Sequence, residues 1–296
     1  MKIALVANPF ATRVDDERLA RVRKELEQVG EVGVLLTERP EHATELVTDA
    51  CRDGVGAVVV FSGDGGFNEA LNGLEADVPI GFLPGGGASV LSRSLGLPTD
   101  PIEAAGVVAE ALQSGRTRRI TVGRVNGRRF AFSAGIGLDA EAVRRVDALG
   151  RRDDGKRPGD LAFALAVVSA LAAQRGHMEP QLEVVGYGRA ALAFVANGSP
   201  YTYAKGLPLP IAPEAEFELG LDIVAPIRIR RRTIVATALR ILTGQVRSGP
   251  YIYGHDLDRI EIACDSPLPL HVDGEDLGDV ERAVFEAERG AVSVLV

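Results

Sequence analysis

The stretch from Val58 to Gly73 constrains the fold of this chain more than any other. A run of apolar residues, VVVF, stops at the small-residue turn SGDGG, and Phe67 and Leu71 then follow at helical spacing. This order predicts a strand, a tight loop and a helix. Small residues leave backbone N–H groups open, and the start of a helix carries a partial positive charge, so a phosphate group fits such a junction.

One acidic residue lies inside this predicted phosphate loop. A carboxylate beside a phosphate is repelled unless a cation bridges the two or the acid takes part in the chemistry. Asp64 therefore indicates a nucleotide bound with Mg²⁺. An ordinary tight turn in an α/β sheet explains the loop equally well when it is taken alone.

Composition narrows the class of protein. The chain has 296 residues, of which 46% are hydrophobic, and we favour two domains for this length. Neither a membrane-spanning apolar run nor a signal-peptide pattern is evident, which predicts a cytoplasmic protein. A net charge of -8 argues against a general nucleic-acid binder, although it leaves room for a local basic face.

Strands and helices alternate in the first part of the chain. Predicted strands cover residues 2–7, 32–36, 57–61 and 78–83, and predicted helices cover 15–29, 41–51, 88–95 and 101–113. Such alternation predicts a doubly wound parallel sheet, in which ligands collect at the carboxyl ends of the strands. Asn8, Thr37 and the glycine turns at 63–66 and 85–87 all follow predicted strands.

The second part of the chain has a different pattern. Asn126-Gly127 separates two predicted strands, 119–125 and 128–133, and is a strong hairpin signal. Further strands are predicted at 181–187, 190–196, 216–224 and 259–263. We therefore predict an α/β domain over residues 1–117 and a mainly antiparallel, β-rich domain over 118–296, with a return of the last strands to the first domain left open. An apolar helix is predicted at 160–174. It either lines an acyl-chain pocket or is simply buried in the core.

Several short motifs, taken in order, resemble the bacterial diacylglycerol kinase and lipid kinase family, which is related to sphingosine kinases and NAD kinases. The family's Gly-Gly-Asp-Gly-Thr loop before Asn-Glu corresponds to SGDGG at 62–66 followed by Asn68-Glu69, and its Pro-x-Gly-Thr-x-Asn-Asp to PGGGASV at 84–90. Its Gly-x-Gly-x-Asp-Ala and Asp-Gly-Glu motifs correspond to residues 135–140 and 273–275. The resemblance spans nearly the whole chain.

The resemblance implies a nucleotide-binding α/β domain, a β-sandwich domain, and ATP and Mg²⁺ as cofactors. It implies Glu275 as the catalytic base, with Asp273 as its rival and Asp64 as a further catalytic acid. Glu218 and Asp222 stand in the family's magnesium region. The implied nucleotide-binding residues are Asn8, Thr37, Gly63, Asp64, Gly65, Gly66, Asn68, Gly85, Gly86 and Gly87.

The chain also departs from the family pattern. Glycines stand at positions 66 and 87, where the family has threonine, and Ser89-Val90 replaces Asn-Asp. Backbone donors survive such changes, so the nucleotide contacts are altered and not plainly abolished.

Three functions remain open at this point. The first is a kinase that phosphorylates a hydroxyl of diacylglycerol or a similar lipid at the membrane surface, either as a monomer or as a homodimer. The second is a catalytically impaired nucleotide- or lipid-binding relative, and the third is a kinase of a soluble alcohol. The arginine run at 228–232 either meets anionic lipid headgroups, as expected of a peripheral membrane protein, or is a solvated helix start.

Overall fold

The structure, a computed structural model, describes residues 1–75, 77–148, 169, 173, 176–204 and 207–296. It divides into two compact units. The first comprises Met1–Thr121 with Gly290–Val296, and the second comprises Val122–Arg289.

The first unit is an α/β layer structure. Its strands are β1 (Lys2–Ala7), β2 (Glu31–Leu36), β3 (Ala57–Ser62) and β4 (Ile80–Pro84), and its helices are α1 (Asp16–Leu26), α2 (His42–Arg52), α3 (Asp64–Gly73), α4 (Val90–Ser94) and α5 (Pro101–Ser114). The strands pair in parallel in the order β2-β1-β3-β4, and Val294 near the end of the chain pairs with Ile80 of β4.

Local sequence accounts for these elements. Every residue of β3 is buried, as expected for a central strand covered on both faces, which explains its unbroken apolar run. Helix α5 begins where the Asp100 carboxylate accepts the N–H groups of Ile102 and Glu103, and it ends at Gly115 with a φ of 68°. These are the expected start and stop residues of a helix.

The second unit is mainly antiparallel. Its strands are β5 (Arg118–Val125, which begins in the first unit), β6 (Arg128–Phe130), β7 (Ser133–Ile136), β8 (Leu182–Val184), β9 (Gly188–Ala190), β10 (Ala193–Ala196), β11 (Thr202–Ala204), β12 (Leu207–Leu209), β13 (Leu221–Pro226), β14 (Tyr251–Leu257), β15 (Arg259–Val272) and β16 (Glu275–Val294, which ends in the first unit). Its helices are α6 (Leu138–Ala148) and α7 (Ile234–Leu242). The main sheet runs in the order β14-β13-β10-β7-β15-β16.

Two hairpins in this unit share one kind of turn. Asn126 and Gly127 have φ angles of 47° and 95°, and Asp273 and Gly274 have φ angles of 47° and 80°. Positive φ at both central residues is characteristic of the tight two-residue turn that the Asn-Gly pair predicted. The second turn joins β15 to β16 and places Val272 opposite Glu275.

The fold class expected from the sequence is confirmed, but several predicted strands are wrong in extent or pairing. The segment 190–196 does not form one strand, because β9 pairs with β8 whereas β10 pairs with β7 and β13. Strand β13 begins at Leu221 and not at residue 216. The apolar helix expected over 160–174 lies outside the described residues, apart from two single positions. None of the described helices is long and apolar enough to cross a membrane.

Candidate functional site

The first unit brings four predicted nucleotide-binding positions to one edge of its sheet. Ala7 pairs with Leu36 of β2 and with Phe61 of β3, and Ser62 pairs with Pro84 of β4. The residues that follow these strands, Asn8, Thr37, Gly63 and Gly85, therefore lie along the same carboxyl edge. This is the edge at which α/β sheets bind ligands.

The two glycine turns lie in direct backbone contact. A Cβ added to Gly86 would be 2.8 Å from the Cα of Gly63, and one added to Gly85 would be 2.9 Å from the carbonyl oxygen of Ser62. Both positions therefore require glycine. At Gly65 and Gly87 an added Cβ would meet no atom within 4 Å, so both α-carbons face open space.

Asp64 links these two turns. It is the first residue of α3, and its Oδ1 accepts the N–H of Leu91, near the start of α4, at 3.1 Å. Helix α4 receives no capping bond from its own N-cap side chain, Ser89, which has a φ of 47°. The carboxylate of Asp64 thus caps a neighbouring helix, a structural role that the sequence did not indicate.

Asn68 and Glu69 brace the helix behind the first turn. Asn68 is completely buried, and its Oδ1 accepts from Asn72 Nδ2 at 3.3 Å. The Glu69 carboxylate accepts the N–H of Ala43 at 3.1 Å and so caps helix α2. The Asn-Glu pair therefore fixes α3 internally and against α2.

In the second unit, Glu275 forms an ion pair with an arginine of the Asn126-Gly127 hairpin. The distance from Arg128 Nη2 to Glu275 Oε2 is 2.8 Å, and both side chains remain partly accessible to solvent. The pair keeps the carboxylate in one orientation beside a positive charge. Sequence reasoning missed Arg128, although the hairpin that carries it was predicted.

Asp273 occupies a different environment from Glu275. Its carboxylate is buried and accepts the backbone N–H groups of Ala131, Phe132 and Ser133 at 2.6, 3.0 and 3.0 Å. Its own N–H donates to the carbonyl oxygen of Ser133 at 2.7 Å. These bonds fasten the β15–β16 turn to the segment from Ala131 to Ser133, so Asp273 braces this turn.

The predicted magnesium residues differ in exposure. Asp222 in β13 is completely buried, whereas Glu218 is exposed. Asp222 Oδ1 lies 2.8 Å from His255 Nδ1 and accepts the N–H of Asp256 at 3.1 Å. Burial raises the pKa of Asp222, and the bonds to Asp256 and His255 offset that rise in part.

One oxygen of the Asp222 carboxylate differs from the other in its contacts. Its Oδ2 is buried and accepts no hydrogen bond from the part of the chain that the structure describes. In that part, no three His, Cys, Asp or Glu side chains form a cluster that could hold a metal. The described residues around Asp222 therefore form no metal site by themselves, and Asp222 and Glu218 stay predicted magnesium residues.

A buried polar triad that the sequence did not reveal lies near β7. Asp139 Oδ2 is 2.6 Å from His271 Nε2 and accepts the hydroxyl of Tyr201 at 2.7 Å. Burial by itself would raise the pKa of Asp139, but the charge and hydrogen bond of His271 and the hydrogen bond of Tyr201 outweigh it and lower that pKa. Burial and the neighbouring Asp139 raise the pKa of Tyr201 well above its usual value.

This triad requires a glycine beside it. A Cβ on Gly135 would lie 2.7 Å from both Asp139 Oδ2 and His271 Nε2. Gly135 and Asp139 both belong to the motif at residues 135–140, so the spacing of that motif reflects a close backbone approach to a buried carboxylate.

Comparison with known proteins identifies the family. Residues 2–125 match the diacylglycerol kinase catalytic domain, and residues 132–296 match the YegS C-terminal NAD kinase beta sandwich-like domain. The chain belongs to the diacylglycerol kinase and lipid kinase family. The resemblance inferred from the short motifs is thereby confirmed.

Individual relatives support this membership. A diacylglycerol kinase of Bacillus subtilis is 26% identical over 280 residues, covering 92% of this chain and 88% of that protein. A diacylglycerol kinase of Staphylococcus carnosus is 32% identical over 143 residues, covering 46% and 45% of the two chains. The crystal structure of a diacylglycerol kinase from Bacillus anthracis superposes with a TM-score of 0.72 at 21% identity, covering 99% of this chain and 96% of that one, and supports the fold.

Proposed function

We propose that this kinase-family chain transfers the γ-phosphoryl group of ATP to a hydroxyl of diacylglycerol or a similar amphipathic lipid. The observation that carries the proposal is the pair of glycine turns in backbone contact, joined by Asp64, at the carboxyl edge of the parallel sheet. Backbone N–H groups beside a helix start suit the phosphates of a nucleotide. Family membership makes a nucleotide the expected ligand.

The geometry of the first unit supports the following roles. Gly63, Gly65 and Gly66 present the first turn of α3 to the phosphates, and Gly85 to Gly87 present the second turn. Asp64 keeps the two turns in register through its bond to Leu91. Asn8 and Thr37, at the ends of the neighbouring strands, are positioned to contact the rest of the nucleotide.

We assign the role of base to Glu275, as the family resemblance implies. The substrate oxygen attacks the γ-phosphorus, the bond from that phosphorus to the bridging β,γ-oxygen breaks, and the hydroxyl proton passes to Glu275. Arg128 holds the Glu275 carboxylate in place, and Asp273 fixes the turn that carries it. Mg²⁺, when bound with the nucleotide, would neutralise charge on the phosphates, and its protein ligands stay a prediction.

Phosphate transfer from labelled ATP to a panel of extracted membrane lipids in mixed micelles tests this proposal. We expect a labelled product from diacylglycerol or a related neutral lipid, dependent on added Mg²⁺ and absent in the Glu275→Gln variant. ATP binding without turnover on any lipid would contradict the proposal and favour a binding protein. Turnover on soluble alcohols alone would assign the kinase to a different acceptor.

A further inference from the structure

Helix α7 carries an exposed apolar face. Val235, Leu239 and Leu242 are 78%, 61% and 41% exposed, the first two among the most exposed large apolar side chains of the described residues. Their spacing of four and three residues places them on one side of the helix. Exposed apolar surface of this kind commonly marks an interaction site.

The opposite face of α7 packs against two buried apolar clusters. Ile241 is buried in a cluster with Tyr201 and Val246, and Ile234 packs against a second cluster that contains Met178. The carbonyl oxygen of Thr237 also accepts the Tyr251 hydroxyl at 3.5 Å. Because the inner face of α7 packs against the protein, the exposed apolar side chains on its outer face are not needed to hold the helix in place.

Three exposed arginines precede this helix. Arg230, Arg231 and Arg232 form no ion pair with any carboxylate of the described residues. Their neighbour Arg228, by contrast, lies 3.4 Å from Glu179. The turn is tied directly to α7, because the carbonyl oxygen of Arg230 accepts the Thr233 N–H at 2.8 Å. A chain with a net charge of -8 thus concentrates positive charge beside its exposed apolar helix face.

We propose that the outer face of α7 and Arg230 to Arg232 form a docking surface for an anionic lipid bilayer. An amphipathic helix that combines exposed aliphatic side chains with neighbouring basic residues suits the interface between headgroups and acyl chains. Each basic residue near an anionic membrane strengthens binding about five-fold. A contact between two copies that aligns their α7 helices in parallel is disfavoured, because it would bring two arginine clusters together.

This docking surface is independent of the kinase reaction. Vesicle binding requires neither nucleotide nor turnover, so the experiments below can succeed or fail whatever the outcome of the phosphate-transfer assay. If both proposals hold, the surface brings the chain to the bilayer in which a lipid substrate resides.

A fluorescence experiment tests insertion directly. The chain contains no tryptophan, so Leu239→Trp introduces a single reporter on the proposed face. We expect its emission to shift to shorter wavelength, and to be quenched by brominated acyl chains, on vesicles that contain phosphatidylglycerol. Val185→Trp is the matched control, because Val185 is likewise exposed, at 46%, but lies in the turn after β8. Its emission should not change.

Flotation with vesicles separates the two components of the surface. Leu239→Asp and the triple variant Arg230→Gln, Arg231→Gln, Arg232→Gln should each lower binding to anionic vesicles at least ten-fold, and added salt should mimic the arginine changes. The matched charge control is Lys2→Gln, Arg21→Gln, Lys24→Gln, which removes three exposed charges of the first unit and should bind like wild type. Circular dichroism checks that every variant remains folded.

Three outcomes would overturn the docking surface. The first is no binding of the wild-type chain to anionic vesicles at low salt. The second is wild-type binding by both the Leu239→Asp and the triple arginine variants. The third is a dimer in sedimentation experiments that Leu239→Asp converts to monomer while vesicle binding persists, which would assign the helix face to a second copy of the chain.

Discussion

The hydroxyl of Ser62 occupies the space that a side chain at position 66 would need. A Cβ placed on Gly66 would lie 2.1 Å from Ser62 Oγ and 2.8 Å from Ser62 Cβ. Ser62 is buried, and its Oγ has no hydrogen-bond partner among the described residues. The related motif has glycine at the first of these positions and threonine at the second, so the two departures are structurally coupled.

This coupling predicts the outcome of restoring the threonine. Gly66→Thr alone should weaken ATP binding, because its Cβ collides with Ser62, whereas Ser62→Gly with Gly66→Thr should bind ATP at least as well as the wild-type chain. Calorimetric titration of the two single variants and the double variant gives the coupling energy directly. Gly87→Thr is the matched control, since an added Cβ there meets no atom within 4 Å. Additive effects of the Ser62 and Gly66 changes would refute the coupling.

Asp64 should be tested with two substitutions, because it caps α4. Asp64→Ala should lower the free energy of unfolding by about 1 kcal/mol through loss of the cap, whereas Asp64→Asn keeps an acceptor oxygen and should cost less. Both variants should lose phosphoryl transfer if the charge is required. Chemical denaturation measures stability, and the labelled-ATP assay measures transfer. Full activity of a folded Asp64→Asn enzyme would remove the charge of Asp64 from the mechanism.

Glu275 and Asp273 should respond differently to loss of charge. Glu275→Gln should reduce the maximal rate by roughly 10² to 10⁴ with little change in ATP affinity, as expected for a general base. Asp273→Asn should instead destabilise the fold, because its carboxylate accepts three backbone N–H groups. Rate measurements on both variants, each checked by thermal unfolding, distinguish the two roles. A stable but inactive Asp273→Asn enzyme beside an active Glu275→Gln enzyme would transfer the role of base to Asp273.

Arg128 should affect the reaction through Glu275. Arg128→Gln removes the ion pair between Arg128 and Glu275, so we expect a lower maximal rate and an altered pH dependence of that rate, with ATP affinity unchanged. The neighbouring Arg129 pairs with Glu288 at 2.8 Å and serves as the control, because Arg129→Gln should leave the pH dependence as in wild type. If Arg128→Gln lowers the rate equally in an enzyme that already carries Glu275→Gln, the two residues act separately.

The triad around Asp139 predicts a pH-dependent stability. The lowered pKa of Asp139 means that its stabilising contribution is present above the unfolded-state pKa of about 3.9 and is lost as the pH falls through the folded-state pKa. Asp139→Asn should therefore lower the free energy of unfolding by about 2 to 3 kcal/mol at neutral pH. The loss should be smaller below a pH of about 3.9. Asp265→Asn, at an exposed ion pair, should cost under about 1 kcal/mol at either pH. Chemical denaturation of the wild-type and Asp139→Asn chains at pH 7 and pH 3 measures this loss. An equal loss of unfolding free energy at the two pH values would refute the role of Asp139.

The sequence by itself determined the order of the elements in the first unit and the position of its glycine turns. A buried strand appears in the sequence as an unbroken apolar run, and helix ends carry local signals such as Asp100 and Gly115. The nearest residues in the sequence are therefore sufficient to predict these elements. The Asn126-Gly127 hairpin is determined in the same way, because the positive φ angles that its turn requires restrict the residue types that can form it.

Only the tertiary structure decided which acids are available for chemistry. Asp273 and Glu275 are two residues apart in the sequence, yet one is bound by the backbone from Ala131 to Ser133 and the other pairs with Arg128. The triad of Asp139, Tyr201 and His271 and the contact between Ser62 and Gly66 are likewise invisible in the linear pattern. Burial and hydrogen bonding depend on which strands become neighbours, and strand pairing joins residues more than a hundred positions apart, whereas sequence patterns report mainly the nearest few residues.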